Sequence, residues 1–161
     1  MSAKAVSESR PSVILVAEDD PNDVLLLKRA FAKARLGTSL HFVSSGQEAI
    51  SYLQGQPPFD NRYEHPVPNI LLLDLNMPGL SGLELLQWLA SHPERASLIV
   101  VVFSSYLAPA ICLEAAMLGA HSCLTKPLDP SVLLPVLANL STHSGPATPQ
   151  ENCAPQLRSS S

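Results

Sequence analysis

Between residues 13 and 140 the chain alternates short apolar runs with stretches whose apolar residues recur every three or four positions. Val13-Ile14-Leu15-Val16-Ala17 has strand length. Pro21, Asn22 and Asp23 then open a predicted helix through Arg35, with Val24, Leu27, Phe31 and Ala34 on one stripe. Leu40 to Val43 is a short second strand. Ser45 with Glu48 forms a capping box, hydroxyl to backbone N–H and carboxylate back to the cap, and starts a helix to Leu53. Asn69 to Leu73 predicts a third strand. Ser81 with Glu84 repeats the capping box and opens a helix to Ser91, and Leu98 to Phe103 is a fourth strand. Pro109 to Leu118 reads as a helix stopped by Gly119, and His121 to Leu124 as a fifth strand. Pro130 to Leu140 is the last helix. There Pro135 lacks an N–H and is expected to give a kink or an early end.

Two runs, Ile70 to Leu73 and Leu98 to Val102, are apolar at every position. A strand with one wet face would alternate, so these are expected to be covered on both faces. Strands alternating with helices in one domain predict an α/β fold, an open doubly wound parallel sheet of five strands with five helices. Such sheets carry their sites at the carboxyl ends of the strands.

Composition changes this picture only at the ends. The chain has 161 residues, 46% of them apolar and 15% charged, the mix of a globular domain. Residues 1–12 form a polar lead-in, 13–140 the domain, and 141–161 a Ser-, Pro-, Gln- and Asn-rich stretch expected to be a disordered tail. Gly55 to Pro68 holds four prolines and cannot be helical. Its length exceeds the usual roughly 2–6-residue connection, so it reads as an inserted surface loop or else as a special surface. A net charge of −4 argues against nucleic acid as partner, which demands a clustered positive surface. No run reaches the ~18–20 apolar residues of a membrane span, and no apolar signal core precedes Ser12. Three cysteines, Cys112, Cys123 and Cys153, have no metal-ligand spacing. A cytoplasmic protein is expected.

The strand ends carry the chemistry. The first ends in Glu18-Asp19-Asp20, the third in Asp74, the fourth in Ser104-Ser105, the fifth in Lys126-Pro127. Each alone is weak: a carboxylate there is usually a helix cap, and a lysine is usually surface. Together they crowd one rim with like charges, which a hard divalent cation relieves, and Mg²⁺ suits a few carboxylates with retained waters. Cation, lysine and hydroxyl can neutralise and hold a phosphoryl group, and a carboxylate facing it can be its nucleophile. A flavodoxin-type nucleotide loop is excluded, since Glu18 to Asp23 would repel phosphate unless a metal intervened. A phosphatase of the haloacid-dehalogenase type is disfavoured too. Two residues past Asp74 it needs a second carboxylate, and Asn76 cannot shuttle a proton.

Leu15-Val16-Ala17-Glu18-Asp19-Asp20, Leu72 to Gly82, Val102 to Ser105 and Leu124-Thr125-Lys126-Pro127 together closely resemble the receiver domain of bacterial two-component response regulators. The resemblance spans Val13 to Leu140. It implies a flavodoxin-like strand order 2-1-3-4-5. It also implies Asp74 as phosphoacceptor, and Mg²⁺ held by Glu18, Asp19, Asp74 and the Asn76 backbone carbonyl. Ser104, Ser105 and Lys126 would form the phosphoryl-binding and switch set, with a cis Lys126–Pro127 bond. One position departs: where the family carries a switch aromatic, this chain has Cys123. Either that coupling is reduced or another residue, Tyr106 or His121, carries it.

The implied function is a stand-alone phosphorylation switch rather than an enzyme acting on other molecules. The implied partner is a sensor histidine kinase that docks on the first helix, where Lys28, Arg29, Lys33 and Arg35 lie, although a solvated helix face is the blander reading of those charges. The loop before the third strand resembles that of single-domain regulators paired with phytochrome-type kinases. The face of fourth helix, fifth strand and fifth helix would serve an unidentified downstream protein or a homodimer. The alternative is a degenerate receiver, a constitutive protein-binding module, favoured only by Cys123.

Overall fold

The computed structural model describes residues 12–34 and 38–142. The strands are β1 Val13–Ala17, β2 Ser39–Val43, β3 Ile70–Asp74, β4 Ile99–Ser104 and β5 Ser122–Thr125. The helices between and after them are α1 Pro21–Ala34, α2 Gly46–Gln54, α3 Gly82–Ala90, α4 Pro109–Met117 and α5 Pro130–Thr142. A single 3₁₀ turn, Pro93–Arg95, precedes β4. All four strand pairings are parallel, and the sheet order is β2-β1-β3-β4-β5.

Strand side chains alternate between two cores. Leu15, Leu71, Leu73, Val100 and Val102 point to the layer of α2, α3 and α4, where Leu53, Leu85 and Ala115 meet them. Ile14, Val16, Leu72, Val101 and Phe103 point the other way, onto Leu27 and Phe31 of α1 and Leu133 and Leu137 of α5. Burial on both faces is why β3 and β4 read as unbroken apolar runs.

Register aligns the carboxyl ends. Ala17 pairs with Leu73, Asp74 with Phe103 and Ser104 with Thr125, so Glu18, Asp74, Ser104 and Lys126 emerge at one rim. Asp74 and Ser104 are themselves the last residues of their strands. Ser81 and Glu84 form the full capping box, whereas Ser45 Oγ accepts from Glu48 N–H but the Glu48 carboxylate accepts from Ser44 instead of the cap N–H, so that box is only half formed.

Three further details differ from the sequence reading. The last helix continues past Pro135 to Thr142. Leu133 and Leu137, 1% and 6% exposed, bracket the proline and anchor the helix to the sheet. Two buried leucines contribute about 3–6 kcal/mol, enough to offset the ~3 kcal/mol of an interior proline. The fifth strand begins at Ser122. His121 lies just before it and extends the ladder with its ring, Nδ1 accepting from Val100 N–H at 3.1 Å while its own N–H donates to Val100 O. The 55–68 connection is packed and hydrogen-bonded, although it holds no helix. The lead-in, Arg35 and the tail beyond Thr142 lie outside the described residues.

Candidate functional site

Lys126 sits at the centre of the rim. Its Nζ lies 2.7 Å from Glu18 Oε2, 2.8 Å from Asp23 Oδ2 and 2.9 Å from Asp74 Oδ2. It donates hydrogen bonds to Asp23 and Asp74. The approach to Glu18 is an ion pair without hydrogen-bond alignment, so Glu18 Oε2 is a buried oxygen with a counter-charge but no donor. Burial alone would lower the Lys126 pKa, but the close carboxylates of Asp23, Glu18 and Asp74 outweigh it and hold the ammonium above its ordinary value.

Glu18 and Asp74 are each 2% exposed and Ser104 is fully buried. Burial raises the Glu18 carboxyl to about 7, helped by the charge of Asp74 and opposed by Lys126 and the Asp20 N–H. One oxygen of Glu18 accepts from Asp20 N–H, and one of Asp74 accepts from Asn76 N–H at 2.9 Å. Ligand oxygens of Glu18, Asp19 and Asp74 all lie within 4.8 Å of one another. An all-carboxylate set with a donorless buried oxygen fits a hard, oxygen-seeking dication.

Ser104 is held in a resting network. Its Oγ accepts from Asn76 Nδ2 at 2.6 Å and donates to the Tyr106 carbonyl at 3.2 Å. Ser105 follows it and is exposed. Cys123 lies on β5 opposite Val102, its Sγ 4.0 Å from the Cys112 carbonyl oxygen, packed toward α4. His121 cannot substitute for the missing aromatic. It stands at the opposite end of β5, four positions before Thr125 and therefore roughly 13 Å down the strand. Tyr106, 76% exposed and bonded through its backbone to Ser104, is adjacent to the hydroxyl.

Glycines place the acceptor strand end. A Cβ at Gly82 would stand 2.7 Å from the Asp74 carbonyl oxygen and 2.6 Å from Leu75 Cα, so only glycine lets α3 start there. Gly79, at φ 77°, makes the preceding turn.

The site includes one residue that sequence reading missed. Asp23 served only as a helix-opening acid, since carboxylates favour any helix N-terminus. No pattern in the sequence distinguishes that from pairing with a lysine 103 positions away.

Beside the site, a groove of about 350 Å³ runs between α1 and the turn after β5, lined by Asp23, Leu26, Arg29, Lys33, Lys126 and Leu128. Arg29 and Lys33 face it. Lys28 instead lies over the Phe42 ring at 5.0 Å. Among the described residues no helix is long and apolar enough to cross a membrane.

Residues 14–138 match the response regulator receiver domain family. Response regulator Rcp1 of Synechocystis sp. is 33% identical over 95 residues, 59% of this chain and 63% of that protein, so the match spans less than two thirds of that relative's length. Its Mn²⁺-bound structure is 27% identical with a TM-score of 0.67, covering 82% of this chain and 91% of that one. Response regulator RPA3017, described as acting in red light signalling of R. palustris, is 35% identical with a TM-score of 0.68, covering 81% and 90%. The phosphorylated cyanobacterial phytochrome response regulator RcpA is 27% identical with a TM-score of 0.69, covering 81% and 91%.

Proposed function

The chain belongs to the response regulator receiver domain family, and from that premise we propose that it is a phosphorylation switch whose acceptor is Asp74. The observation that carries the reading is a buried carboxylate joined at 2.9 Å to a buried-rim lysine, amid carboxylates with a dication's donor set. In the transfer, an Asp74 carboxylate oxygen forms a new O–P bond while the bond from phosphorus to the donor's imidazole nitrogen breaks, and the imidazole leaves with that electron pair. Mg²⁺, held by Glu18, Asp19, Asp74 and the Asn76 carbonyl, would neutralise phosphoryl oxygens when bound. The chain's own groups do the rest. Asn76 N–H orients one Asp74 oxygen. Lys126 releases Asp74 Oδ2 and donates to the phosphoryl group instead. Ser104 gives up the Tyr106 carbonyl and turns its proton to the phosphoryl oxygens, which frees the segment leading to α4.

The phosphodonor is a sensor histidine kinase. Relatives described as phytochrome or red-light regulators support a phytochrome-type one. The α1 groove, apolar at Leu26 and Leu128 and basic at Arg29 and Lys33, suits its docking. Output passes through the α4–β5–α5 face, where Leu113, Met117 and Val132 are exposed, to a downstream protein or a second copy. The protein acts in the cytoplasm. Cys123 favours a second reading, a constitutive binding module.

The test is to incubate the protein with Mg²⁺ and acetyl phosphate and measure its intact mass. Wild type is expected to gain one phosphoryl group, and Asp74→Asn none. No gain by wild type, or equal gain by the variant, removes the assignment. Calorimetry that detects no Mg²⁺ binding would favour the constitutive module.

A further inference from the structure

Resting on the reading of Asp74 as acceptor, we infer that Asp23 is a resting-state brake: it holds the Lys126 ammonium against α1 and competes with the incoming phosphoryl group for it. An ammonium has three N–H donors. Around Lys126 stand three carboxylates at 2.7–2.9 Å, two of them accepting its hydrogen bonds and the third, Glu18, paired by charge, so the space and charge around the ammonium are already taken when a fourth anion arrives. For Lys126 to reach a phosphoryl group on Asp74, at least one carboxylate must give way.

The three partners are not equivalent. Glu18 and Asp74 belong to the cluster that fits a cation, so their charge has a second claimant. Asp23 does not belong to it. It comes from the first turn of α1, and its side chain is 28% exposed against 3% for Asp74. It is therefore the anion that Lys126 keeps once a cation engages the others. Its charge also lies one ammonium away from the place where a phosphoryl dianion must settle, and like charges there oppose the transfer.

Position supplies the release. Asp23 and Lys126 line the same groove, together with Arg29 and Lys33. A phosphodonor protein seated in that groove lies against Asp23 and can draw it from Lys126. A small donor in solution cannot. The brake thus favours a docked kinase over free small phosphodonors.

The experiment compares wild type, Asp23→Asn, Asp23→Glu and Asp20→Asn with Mg²⁺ present. Two quantities are read: the phosphorylation rate from acetyl phosphate and the affinity for trifluoroberyllate, a phosphoryl mimic. Asp23→Asn is expected to phosphorylate roughly three- to tenfold faster and to bind the mimic tighter by a similar factor, the scale of one partly screened unit charge. Asp23→Glu restores the carboxylate and should return within about twofold of wild type. Asp20→Asn removes the same charge from the same rim, but its carboxylate accepts from Asn22 N–H rather than Lys126, and it too should stay within about twofold. An unchanged or slower Asp23→Asn overturns the brake while leaving Asp74 as acceptor. Equal acceleration by Asp20→Asn also overturns it, showing a general field. A wild type that neither phosphorylates nor binds the mimic removes the functional reading and the brake together.

Discussion

At Gly82 a single hydrogen in place of a methyl group sets the position of the acceptor. The Cβ of any other residue would meet backbone on two sides, the Asp74 carbonyl at 2.7 Å and Leu75 Cα at 2.6 Å, and backbone cannot swing aside. Gly82→Ala is expected to cost about 1–3 kcal/mol, the range of overpacking, and thermal melts will show it. The same push displaces Asp74 from Lys126, so phosphorylation from acetyl phosphate should slow as well. His121 makes a second residue-scale prediction. Its ring accepts from Val100 N–H, which requires the neutral form, and burial lowers its pKa. A histidine depressed in the folded state gives stability that is complete above the unfolded value near 6.5 and lost as pH falls below it. Melting temperature should therefore drop from pH 7 towards pH 5, and His121→Leu should flatten that drop while lowering the plateau. A slope unchanged in the variant would assign the acid sensitivity to other groups. Glu18, Asp19, Asp74, Ser104 and Lys126 were legible in the sequence because each lies at or within two residues of the end of a strand-length run, and parallel register brings such ends together. Asp23 was not, because the depth of a helix side chain over a neighbouring strand end leaves no periodic trace.

The connection between α2 and β3 shows what happens to an element that periodicity cannot read. Gly55, at φ 66°, ends α2, and its N–H closes on Ser51 and Tyr52 carbonyls. Two arginines add further donors at that helix end. Arg62 donates to the Tyr52, Leu53 and His65 carbonyls, and Arg95, from the 3₁₀ turn, also donates to Leu53 O. Tyr52, buried and raised to about 12 by that burial, donates its hydroxyl to Pro66 O and packs on Phe59 and His65. The loop is thus a folded cap over the sheet edge, built by contacts between residues up to 42 apart in sequence, which is why composition alone suggested an inserted surface loop. Arg62→Ala strips donors from three carbonyls and is expected to cost about 1–3 kcal/mol. Because the loop's ends stay anchored in α2 and β3, the core should survive. Limited proteolysis should cut within 55–68 far faster than in wild type, with the remaining fragments intact. Cleavage spread through the sheet would instead mean that the loop and core unfold as one unit. In α5 the sequence signal pointed the other way. Pro135 is a strong local breaker, and the helix persists because Leu133 and Leu137 are fixed by the sheet, a tertiary effect invisible to local propensity.

At the scale of the whole molecule, the fold gathers more negative charge at one rim than it can neutralise alone. Among the described residues, Glu18, Asp23 and Asp74 share the Lys126 ammonium, and Asp19 crowds in beside Glu18 and Asp74. The parallel sheet makes this unavoidable, since the register that buries both apolar faces also puts the strand ends side by side. Lys126 therefore stabilises the metal-free fold as well as serving the chemistry. In chelator, Lys126→Ala leaves buried carboxylates without their counter-charge and should cost about 2–4 kcal/mol, below the full penalty of a broken buried pair because Asp23 is partly solvated. Adding Mg²⁺ supplies a replacement cation. Binding at ten times the dissociation constant stabilises any protein by RT ln 11, about 1.4 kcal/mol. In the variant the cation no longer competes with an ammonium for Glu18 and Asp74, so its affinity is higher and its stabilising effect larger than in wild type. Thermal melts of both proteins, each in chelator and in Mg²⁺, separate the two roles. The Mg²⁺-induced rise in melting temperature should be greater for Lys126→Ala. An equal or smaller rise would mean that lysine and cation draw on different carboxylates, and the shared-charge account of this rim would have to be given up.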